Sequence, residues 1–292
     1  AERPPPSAVT SPGRMSQAKR LGVRFVDFTG GEPLLHDRLP EILEWAKGLG
    51  LRTSVTTNCL LYPERAQELR GLVDYLHFSL DGAGAEQHDS MRGTAVFHRV
   101  MESIDRARLL GERPDLLFTV TAENLPALAS LCRISSQLGL MLLVNPVFSH
   151  LKKRTLPREQ LAEIGRYAGR PFVYVNRALL RLHREGGNNT EKPRCRVLQA
   201  TIVVSPDLRL LLPCFHFTQK CIPLDRPLQE IRWSQEFQAF IPLSGRAPFC
   251  RNCSLNCYFD PSFLYKMDVY FWESLHAKAR YVFYKKTVWP VK

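Results

Sequence analysis

Short apolar runs alternate with longer amphipathic segments through the first half of the chain. The runs are rich in β-branched and aromatic residues, as strands are, and the segments between them repeat their apolar positions every three or four residues, as helices do. The runs predict strands at Val23 to Thr29, Leu51 to Thr57, Tyr75 to Leu80, Leu116 to Thr121 and Leu140 to Val144. The segments predict helices at Leu39 to Leu49, Pro63 to Leu72, Phe97 to Leu110 and Leu125 to Leu138. Repeated strand-helix units with short connections predict an α/β domain with a parallel sheet, as a barrel or as an open doubly wound sheet.

Parallel sheets of this kind bind ligands at the carboxyl ends of their strands. The five predicted strands all run into polar or glycine-containing residues, which are Thr29-Gly30-Gly31-Glu32-Pro33, Thr57-Asn58, Ser79-Leu80-Asp81-Gly82, Thr119-Val120-Thr121 and Asn145-Pro146. One such end is ordinary turn chemistry, but five at the same edge of a sheet favour a polar ligand lying across it. The adjacent Gly30 and Gly31 let the backbone turn tightly and approach that ligand where any Cβ would clash.

The alternation stops after residue 148, and a second, smaller module begins. Its predicted elements are helices near Arg158 to Tyr167 and Val173 to His183, a linker from Glu185 to Thr190, and a β-hairpin from Ala200 to Val204 and Leu208 to Leu212. The aromatic run from Phe263 to Tyr284, mixed with lysine and arginine, predicts a helix that packs on the first domain. Contact with a membrane surface or a partner is the alternative for this run.

Composition narrows the class of protein. The chain has 292 residues with 45% hydrophobic content, which suits one large α/β domain and a smaller module and excludes a chain that is mainly disordered. It has no apolar run long enough to span a membrane, and its first residues lack the apolar core of a signal peptide, so we expect a cytoplasmic location. The net charge of +12 is spread over many segments, which favours a solvated basic surface over specific nucleic-acid binding.

The cysteines point to a metal site in the last third of the chain. Cys59 and Cys132 stand alone, and we expect Cys132 to be a small core residue on the apolar side of its helix. The remaining cysteines are Cys195, Cys214, Cys221, Cys250, Cys253 and Cys257. Without an export signal, metal binding is favoured over disulfides, and thiolate ligands suit zinc or an iron-sulfur centre. The spacing does not separate these two metals, and Cys221 and His216 can each be a ligand or an uninvolved residue.

The motifs at the strand ends resemble those of one enzyme family. Gly30-Gly31-Glu32-Pro33 is similar to the GGEP motif of radical S-adenosylmethionine (radical SAM) enzymes, and Thr57-Asn58 resembles the TN pair that closes their next strand, although Cys59 stands where glycine is commoner. Ser79-Leu80-Asp81-Gly82, followed by His88 and Arg92-Gly93, continues the family's order. The cysteine-rich end resembles the SPASM or twitch extensions found in part of that family.

This resemblance implies a fold and a domain division. The fold would be α/β, a partial (β/α)6 TIM-like barrel that lacks its first strand, joined to a small cysteine-rich module with a β-hairpin and helices. The expected domains are a flexible segment at 1–14, the partial barrel at 15–184, and the auxiliary module with its C-terminal helix at 185–292.

The resemblance also implies cofactors, partners and site residues. S-adenosylmethionine would contact Gly30, Gly31, Glu32, Pro33, Thr57, Asn58, Ser79, Asp81, Thr119 and Asn145, with Glu32 holding the methionine amine. One auxiliary 4Fe-4S cluster would be bound by Cys195, Cys214, Cys250 and Cys253, with Cys257 as the rival for the fourth position. The partners would be a peptide or small-molecule substrate and an electron donor such as a flavodoxin or a ferredoxin. In the family the cofactor yields a 5′-deoxyadenosyl radical that abstracts a substrate hydrogen.

One expected motif is missing from these residues. The family's radical-generating cluster is bound by a C-x3-C-x2-C loop ahead of the GGEP motif, whereas no cysteine precedes Cys59. We therefore expect the chain to be a fragment or the product of a truncated gene, and we predict that the reconstituted 292-residue polypeptide does not cleave S-adenosylmethionine. Formation of 5′-deoxyadenosine in that assay would contradict the prediction. The alternative function is a zinc-stapled binding or scaffold protein, which metal analysis would distinguish.

Overall fold

Six parallel strands form the main sheet, and their order in space follows their order in the chain. The structure is a computed structural model that describes residues 12–148 and 156–287. The strands are β1 (Phe25–Phe28), β2 (Arg52–Thr57), β3 (Tyr75–Ser79), β4 (Asp115–Val120), β5 (Leu142–Pro146) and β6 (Val173–Tyr174). Within the described residues the sheet is open, with β1 and β6 as its edges. The expected class, a parallel α/β sheet corresponding to a partial TIM-like barrel, is confirmed in this open form.

Helices cover one face of the sheet and leave polar residues on the other. These helices are α2 (Leu39–Gly48), α3 (Tyr62–Leu69), α4 (Ala85–Arg92), α5 (Phe97–Leu109), α6 (Leu128–Leu138) and α7 (Arg158–Gly165), after α1 (Pro12–Arg20). Phe78 of β3 packs against Tyr62 of α3 with ring centroids 4.6 Å apart, and Cys132 is buried in α6, as expected of a core residue. The opposite face carries Thr56 and His77, which are neighbours in the register of β2 and β3.

The sixth strand corrects a prediction from the sequence. The segment from Val173 to His183 was expected to be one helix, but β6 occupies its start and α8 (Arg177–Arg184) follows. Val173 and Val175 are buried on either side of the half-buried Tyr174, which is the alternation of a strand. Because β6 contains only two residues, its period is too short to be separated from the helix that follows.

The second part of the structure contains a small hairpin and short helices. Its elements after α8 are β7 (Arg209–Leu212), β8 (Lys220–Pro223), α9 (Leu228–Trp233), α10 (Gln235–Gln238), α11 (Asn256–Ser262) and α12 (Val269–Thr287). The expected hairpin between residues 200–204 and 208–212 is wrong as drawn, because β7 pairs with β8. The earlier run keeps one antiparallel bridge, between Val204 and Leu210. Phe237, Phe259 and Phe263 fill the core of this part.

Contacts between residues divide the chain into two compact units. Among the described residues, the sheet unit comprises 24–147, 156–177 and 276–287, and the cysteine unit comprises 12–23, 148 and 178–275. In this division α1 belongs to the cysteine unit, because it contacts the region of α9, while the expected domain boundaries at 14/15 and 184/185 stay a prediction. Arg14 donates to the Leu224 carbonyl and Gln17 accepts from the Leu228 amide. Of the expected flexible segment, residues 1–11 lie outside the described residues.

The last helix supplies partners for a buried charge in the sheet unit. The Asp115 carboxylate is fully buried, and it accepts hydrogen bonds from Tyr281 at 2.6 Å and from Lys285. His77 lies 3.4 Å from the same carboxylate. Burial alone would raise the pKa of Asp115, but Lys285 and His77 outweigh it and hold that pKa below its usual value. The charged form is therefore the native form of this carboxyl.

The aromatic residues near the C-terminal end are only partly packed. Tyr270 is buried against Phe263, and the Arg194 guanidinium lies 3.5 Å from the centre of its ring. Trp272 and Phe283, in contrast, are 56% and 57% exposed. The contacts of Tyr270 lie within the cysteine unit, and the expected packing on the first domain is made by the end of α12, where Tyr281 and Lys285 bond to Asp115. No helix in the described residues has the length and apolar character needed to cross a bilayer.

Replacement of Lys285 by alanine should destabilise the fold. The change leaves Asp115 ionised in a buried position with its main counter-charge removed, a loss that costs about 3–5 kcal/mol of unfolding free energy. Lys286→Ala is the matched control, since Lys286 is exposed and surface substitutions cost less than about 0.5 kcal/mol. Urea unfolding followed by circular dichroism measures both variants. Equal stability of the two variants would contradict the role given to Lys285.

Candidate cofactor and cysteine sites

Glu32 joins the carboxyl ends of the first two strands. One oxygen of its carboxylate accepts a hydrogen bond from the Leu34 amide at 3.0 Å, and the other accepts from the Asn58 amide at 2.8 Å. Both amides belong to turns that have no strand partner, so the carboxylate satisfies backbone groups that the sheet leaves open. Each oxygen of Glu32 therefore has a protein partner. The contact with the cofactor that the sequence predicts would be made in addition to these two hydrogen bonds.

The two glycines before Glu32 leave open space above the sheet edge. Gly30 and Gly31 are exposed, and a Cβ added to either would meet no atom within 4 Å. Gly30 has a φ of 130°, a conformation that favours glycine over other residues. Arg65 of α3 donates to the carbonyls of Leu34 and His36 and fixes the turn that follows. The role of Arg65 was not predicted, because nothing in its local sequence marks it.

Asp81 is the centre of a second network, at the ends of β3 and β4. Its carboxylate accepts from the Thr119 amide at 3.2 Å and forms an ion pair with Arg92 at 2.8 Å. Its own amide donates to Nδ1 of the buried His88 at 3.0 Å. The motif residues Asp81, His88 and Arg92, which lie apart in the sequence, are thus brought together, and their contacts hold the loop between β3 and α4 in place.

Asn124 completes this network and was missed by the sequence analysis. Its side chain is fully buried, and its amide nitrogen donates to the carbonyls of Asp81 and Thr119 at 3.3 and 3.0 Å. Its side-chain oxygen accepts from the Thr121 amide at 2.8 Å, while the Thr121 hydroxyl accepts from the Asn124 amide. A threonine followed three residues later by asparagine at the end of a strand is the signal that could have identified it.

The remaining predicted cofactor residues lie at the same edge of the sheet. Thr119 and Asn145 are paired in the register of β4 and β5, and Ser79 is buried at the end of β3. The Thr57 hydroxyl accepts from the Cys59 amide at 3.0 Å, so it serves the turn at this point. Cys59 has a φ of 70°, a left-handed conformation that glycine adopts more easily than cysteine. This fits the expectation from the sequence that glycine is commoner at this position.

Four of the predicted metal ligands line one small cavity in the cysteine unit. They are Cys195, Cys214, Cys250 and Cys253, and the cavity is also lined by Asn188 and Tyr258. Cys257, the proposed rival, is exposed at the start of α11 and is not among the lining residues. Cys221 lies in β8 and does not line the cavity either. The Phe215 amide donates to the Tyr258 hydroxyl at 2.9 Å, which holds the residue after Cys214 against this wall.

Burial keeps these thiols protonated in the absence of a metal. It raises the pKa of Cys195 and of Cys253 to about 12, and the neighbouring cysteines add to the increase. The pKa of Cys214 and the pKa of Cys250 are raised for the same first reason. In the described part of the chain, no three histidine, cysteine or acidic side chains converge closely enough to hold a single metal ion. A thiolate centre here would have to displace protons on binding its metal.

Part of the chain matches a known protein family. Residues 14–126 match the family model of the radical SAM superfamily. This part of the chain matches a radical SAM domain. The matched region contains the Gly30–Pro33 turn, the Asp81 network and Asn124, which are the features that organise the sheet edge.

Curated relatives of this radical SAM domain are enzymes. The chain is 33% identical over 140 residues to an AdoMet-dependent heme synthase of Oleidesulfovibrio alaskensis, covering 44% of this chain and 36% of that protein. It is 32% identical over 162 residues to a probable GTP 3′,8-cyclase of Methanococcus maripaludis, covering 52% of this chain and 54% of that protein. The chain therefore spans about half or less of the length of these relatives.

Solved structures share the fold of this chain at low sequence identity. anSMEcpe with bound AdoMet and a Cp18Cys peptide superposes with a TM-score of 0.60 at 16% identity, covering 96% of this chain and 89% of that one. SuiB of Streptococcus suis, bound to its precursor peptide SuiA, superposes with a TM-score of 0.68 at 15% identity, covering 92% and 68%. At these identities the likeness concerns the fold alone.

Proposed function

We propose that the chain binds S-adenosylmethionine at the carboxyl edge of its sheet and serves a radical reaction on a peptide, a cofactor precursor or a natural product. The observation that carries the proposal is the open space at Gly30 and Gly31, which follow β1 at the same edge of the parallel sheet where β2, β3 and β4 end. Backbone carbonyls at such a turn can accept hydrogen bonds from an ammonium group. When bound beside a reducing cluster, this cofactor supplies a 5′-deoxyadenosyl radical.

The residues of the chain would hold and orient this cofactor. Thr57, Asn58, Ser79, Thr119 and Asn145 offer hydroxyl, amide and backbone groups along the edge for the polar parts of the cofactor. Pro33 fixes the backbone directly after Glu32, at the first position of a short 3-10 turn. The Asp81 network stiffens the loops, so that less conformational entropy is lost on binding.

The cysteine unit would hold an auxiliary iron-sulfur cluster. The donor set suits such a group by its chemistry, because four thiols from three segments line one apolar cavity; in the described residues they are spread around it and do not converge on a single-ion site. The proposed ligands are Cys195, Cys214, Cys250 and Cys253, and the exposed Cys257 is the rival for one position. A 4Fe-4S cluster at this point would extend electron transfer or bind substrate, with a flavodoxin or ferredoxin in the cytoplasm as the electron donor.

A zinc-stapled scaffold protein is the second candidate function. The thiolate donor set is equally suited to zinc. The pKa of each of the four thiols is raised by burial, so either metal would have to displace their protons. Under this alternative, the sheet edge would bind no S-adenosylmethionine. The two functions therefore make opposite predictions at both sites.

A tryptophan at position 31 should block cofactor binding without harming the fold. Because a side chain at Gly31 would meet no protein atom within 4 Å, it would occupy the space proposed for S-adenosylmethionine. Saturation-transfer difference NMR detects weak binding, and we expect the signals of S-adenosylmethionine to appear with the wild type and to be lost with Gly31→Trp. Gly48→Trp is the matched control, since that exposed glycine is also uncrowded and lies in α2.

Two results of this NMR comparison would contradict the proposal. Equal signals from both tryptophan variants would mean that the cofactor does not bind above Gly31. No signal from the wild type at millimolar S-adenosylmethionine would reject the cofactor proposal for this chain. Thermal unfolding of the three proteins checks that the fold is retained.

Serine variants of the cysteines should identify the ligands. We expect anaerobically reconstituted wild type to contain about four iron and four sulfide per chain, as a 4Fe-4S cluster requires. Cys195→Ser, Cys214→Ser, Cys250→Ser and Cys253→Ser should each lose most of this iron. Cys132→Ser and Cys221→Ser are the controls and should retain it. Stoichiometric zinc without sulfide would favour the scaffold function, and loss of iron from Cys257→Ser would revise the ligand set.

A further inference from the structure

One buried side chain connects the separate segments that carry the cysteines. Asn188 is 2% exposed and lines the same cavity as the four thiols. It lies in the segment after α8, where the sequence suggested only a linker. A buried amide that borders a ligand cavity has to satisfy two N–H donors and one carbonyl acceptor within the protein.

The side chain of Asn188 uses this whole capacity on backbone groups around the cavity. Its amide nitrogen donates to the Gly245 carbonyl at 2.7 Å and to the Cys250 carbonyl at 3.1 Å. Its oxygen accepts from the Arg194 amide, the residue before Cys195, at 3.2 Å. One side chain thus fixes the backbone of two cysteine-bearing segments.

The backbone of Asn188 reaches the third cysteine of this group. Its amide donates to the Cys253 carbonyl at 2.9 Å, and its carbonyl accepts from the Asn252 amide at 3.0 Å. The preceding Gly187 makes this approach feasible, since a Cβ at that position would lie 2.4 Å from the Asn252 carbonyl oxygen. Asn252 itself has a φ of 62°, which turns the chain between Cys250 and Cys253.

A second close approach supports the same cavity wall. Gly245, whose carbonyl accepts from Asn188, has a φ of 73°, and a Cβ there would lie 3.1 Å from the Cβ of Cys195. The three segments around Asn188, Gly245 and Cys195 are thus packed at backbone distance. Their relative positions depend on hydrogen bonds, because there is no room for larger side chains between them.

We infer that Asn188 is a positioning residue that sets the relative placement of Cys195, Cys250 and Cys253 for a shared metal centre. The inference rests on the cysteine site proposed above. Asn188 acts through hydrogen bonds to the backbone at and beside the ligands. Residues that orient metal ligands in this way typically contribute a factor of about 10 to 100 to metal affinity.

The test compares two neighbouring asparagines. Asn188→Asp keeps the shape of the side chain, but a carboxylate cannot donate to the carbonyls of Gly245 and Cys250. Asn189→Asp is the matched control, because Asn189 is exposed and its oxygen only accepts hydrogen bonds, from the amides of Glu191 and Lys192, which a carboxylate preserves. Both proteins are reconstituted anaerobically with iron and sulfide beside the wild type.

Iron release to a chelator and the electron paramagnetic resonance spectrum of the reduced protein are measured for each. We expect Asn188→Asp to release iron about 10-fold faster or more and to change the spectrum, with Asn189→Asp matching the wild type. Asn188→Ser, which retains one donor and one acceptor, should be intermediate and serves if the aspartate variant does not fold. Circular dichroism of the metal-free proteins separates loss of fold from loss of positioning.

The possible failures are distinguishable. If wild type binds iron and sulfide but folded Asn188→Asp or Asn188→Ser has the release rate and spectrum of Asn189→Asp, the inference is wrong while the cluster stands. If wild type takes up no iron and sulfide, the cluster proposal is wrong. Zinc release to a chelator then tests Asn188 with the same three variants, and equal rates would overturn its positioning role.

Discussion

Backbone amides and carbonyls at the ends of strands and in tight turns need partners, and this need shapes both candidate sites. Beyond the last ladder bond of a parallel strand, the main chain has no neighbour to pair with. Here buried or half-buried side chains satisfy those groups: Glu32 binds two amides, Asn124 binds two carbonyls and an amide, and Asn188 does the same in the cysteine unit. These hydrogen bonds hold the loops at both sites in place.

The carboxylates and the glycines of the strand-end motifs have different roles in this structure. Glu32 and Asp81 both belong to motifs that suggest ligand contacts, yet each carboxylate is already engaged with the protein. Gly30 and Gly31 have no side chains, and their backbone is exposed at the edge of the sheet. The carboxylates thus provide rigidity, and the glycines provide access. A site built in this way loses little freedom when a polar ligand binds.

Local sequence was sufficient for the sheet and for most of the strand-end residues. Five of the six strands follow from runs of β-branched and aromatic residues, and the glycine pair and the Ser79 to Gly82 turn carry their own signals. The sixth strand escaped because two residues have no measurable period. The helix α4 was not predicted because its apolar positions are few.

Contacts between distant residues could not be predicted from one sequence. Arg65, Asn124 and Asn188 act on carbonyls or amides whose positions depend on the finished fold, and an arginine or asparagine in a polar segment is usually a solvated residue. The pairing of β7 with β8 was missed for the same reason, since the finished fold decides which of two nearby runs lies along β7. The four cysteines were grouped as ligands by their chemistry, which stays a prediction, while their common cavity is known only from the structure.

The ion pair between Asp115 and Lys285 joins positions 170 residues apart, which bears on how the chain folds during synthesis. A ribosome delivers the strands of the sheet unit long before it delivers the last helix. Until Lys285 emerges, Asp115 has no cation from that helix, and burying its charge is unfavourable. The native surroundings of Asp115 are therefore complete only after the last helix has been made.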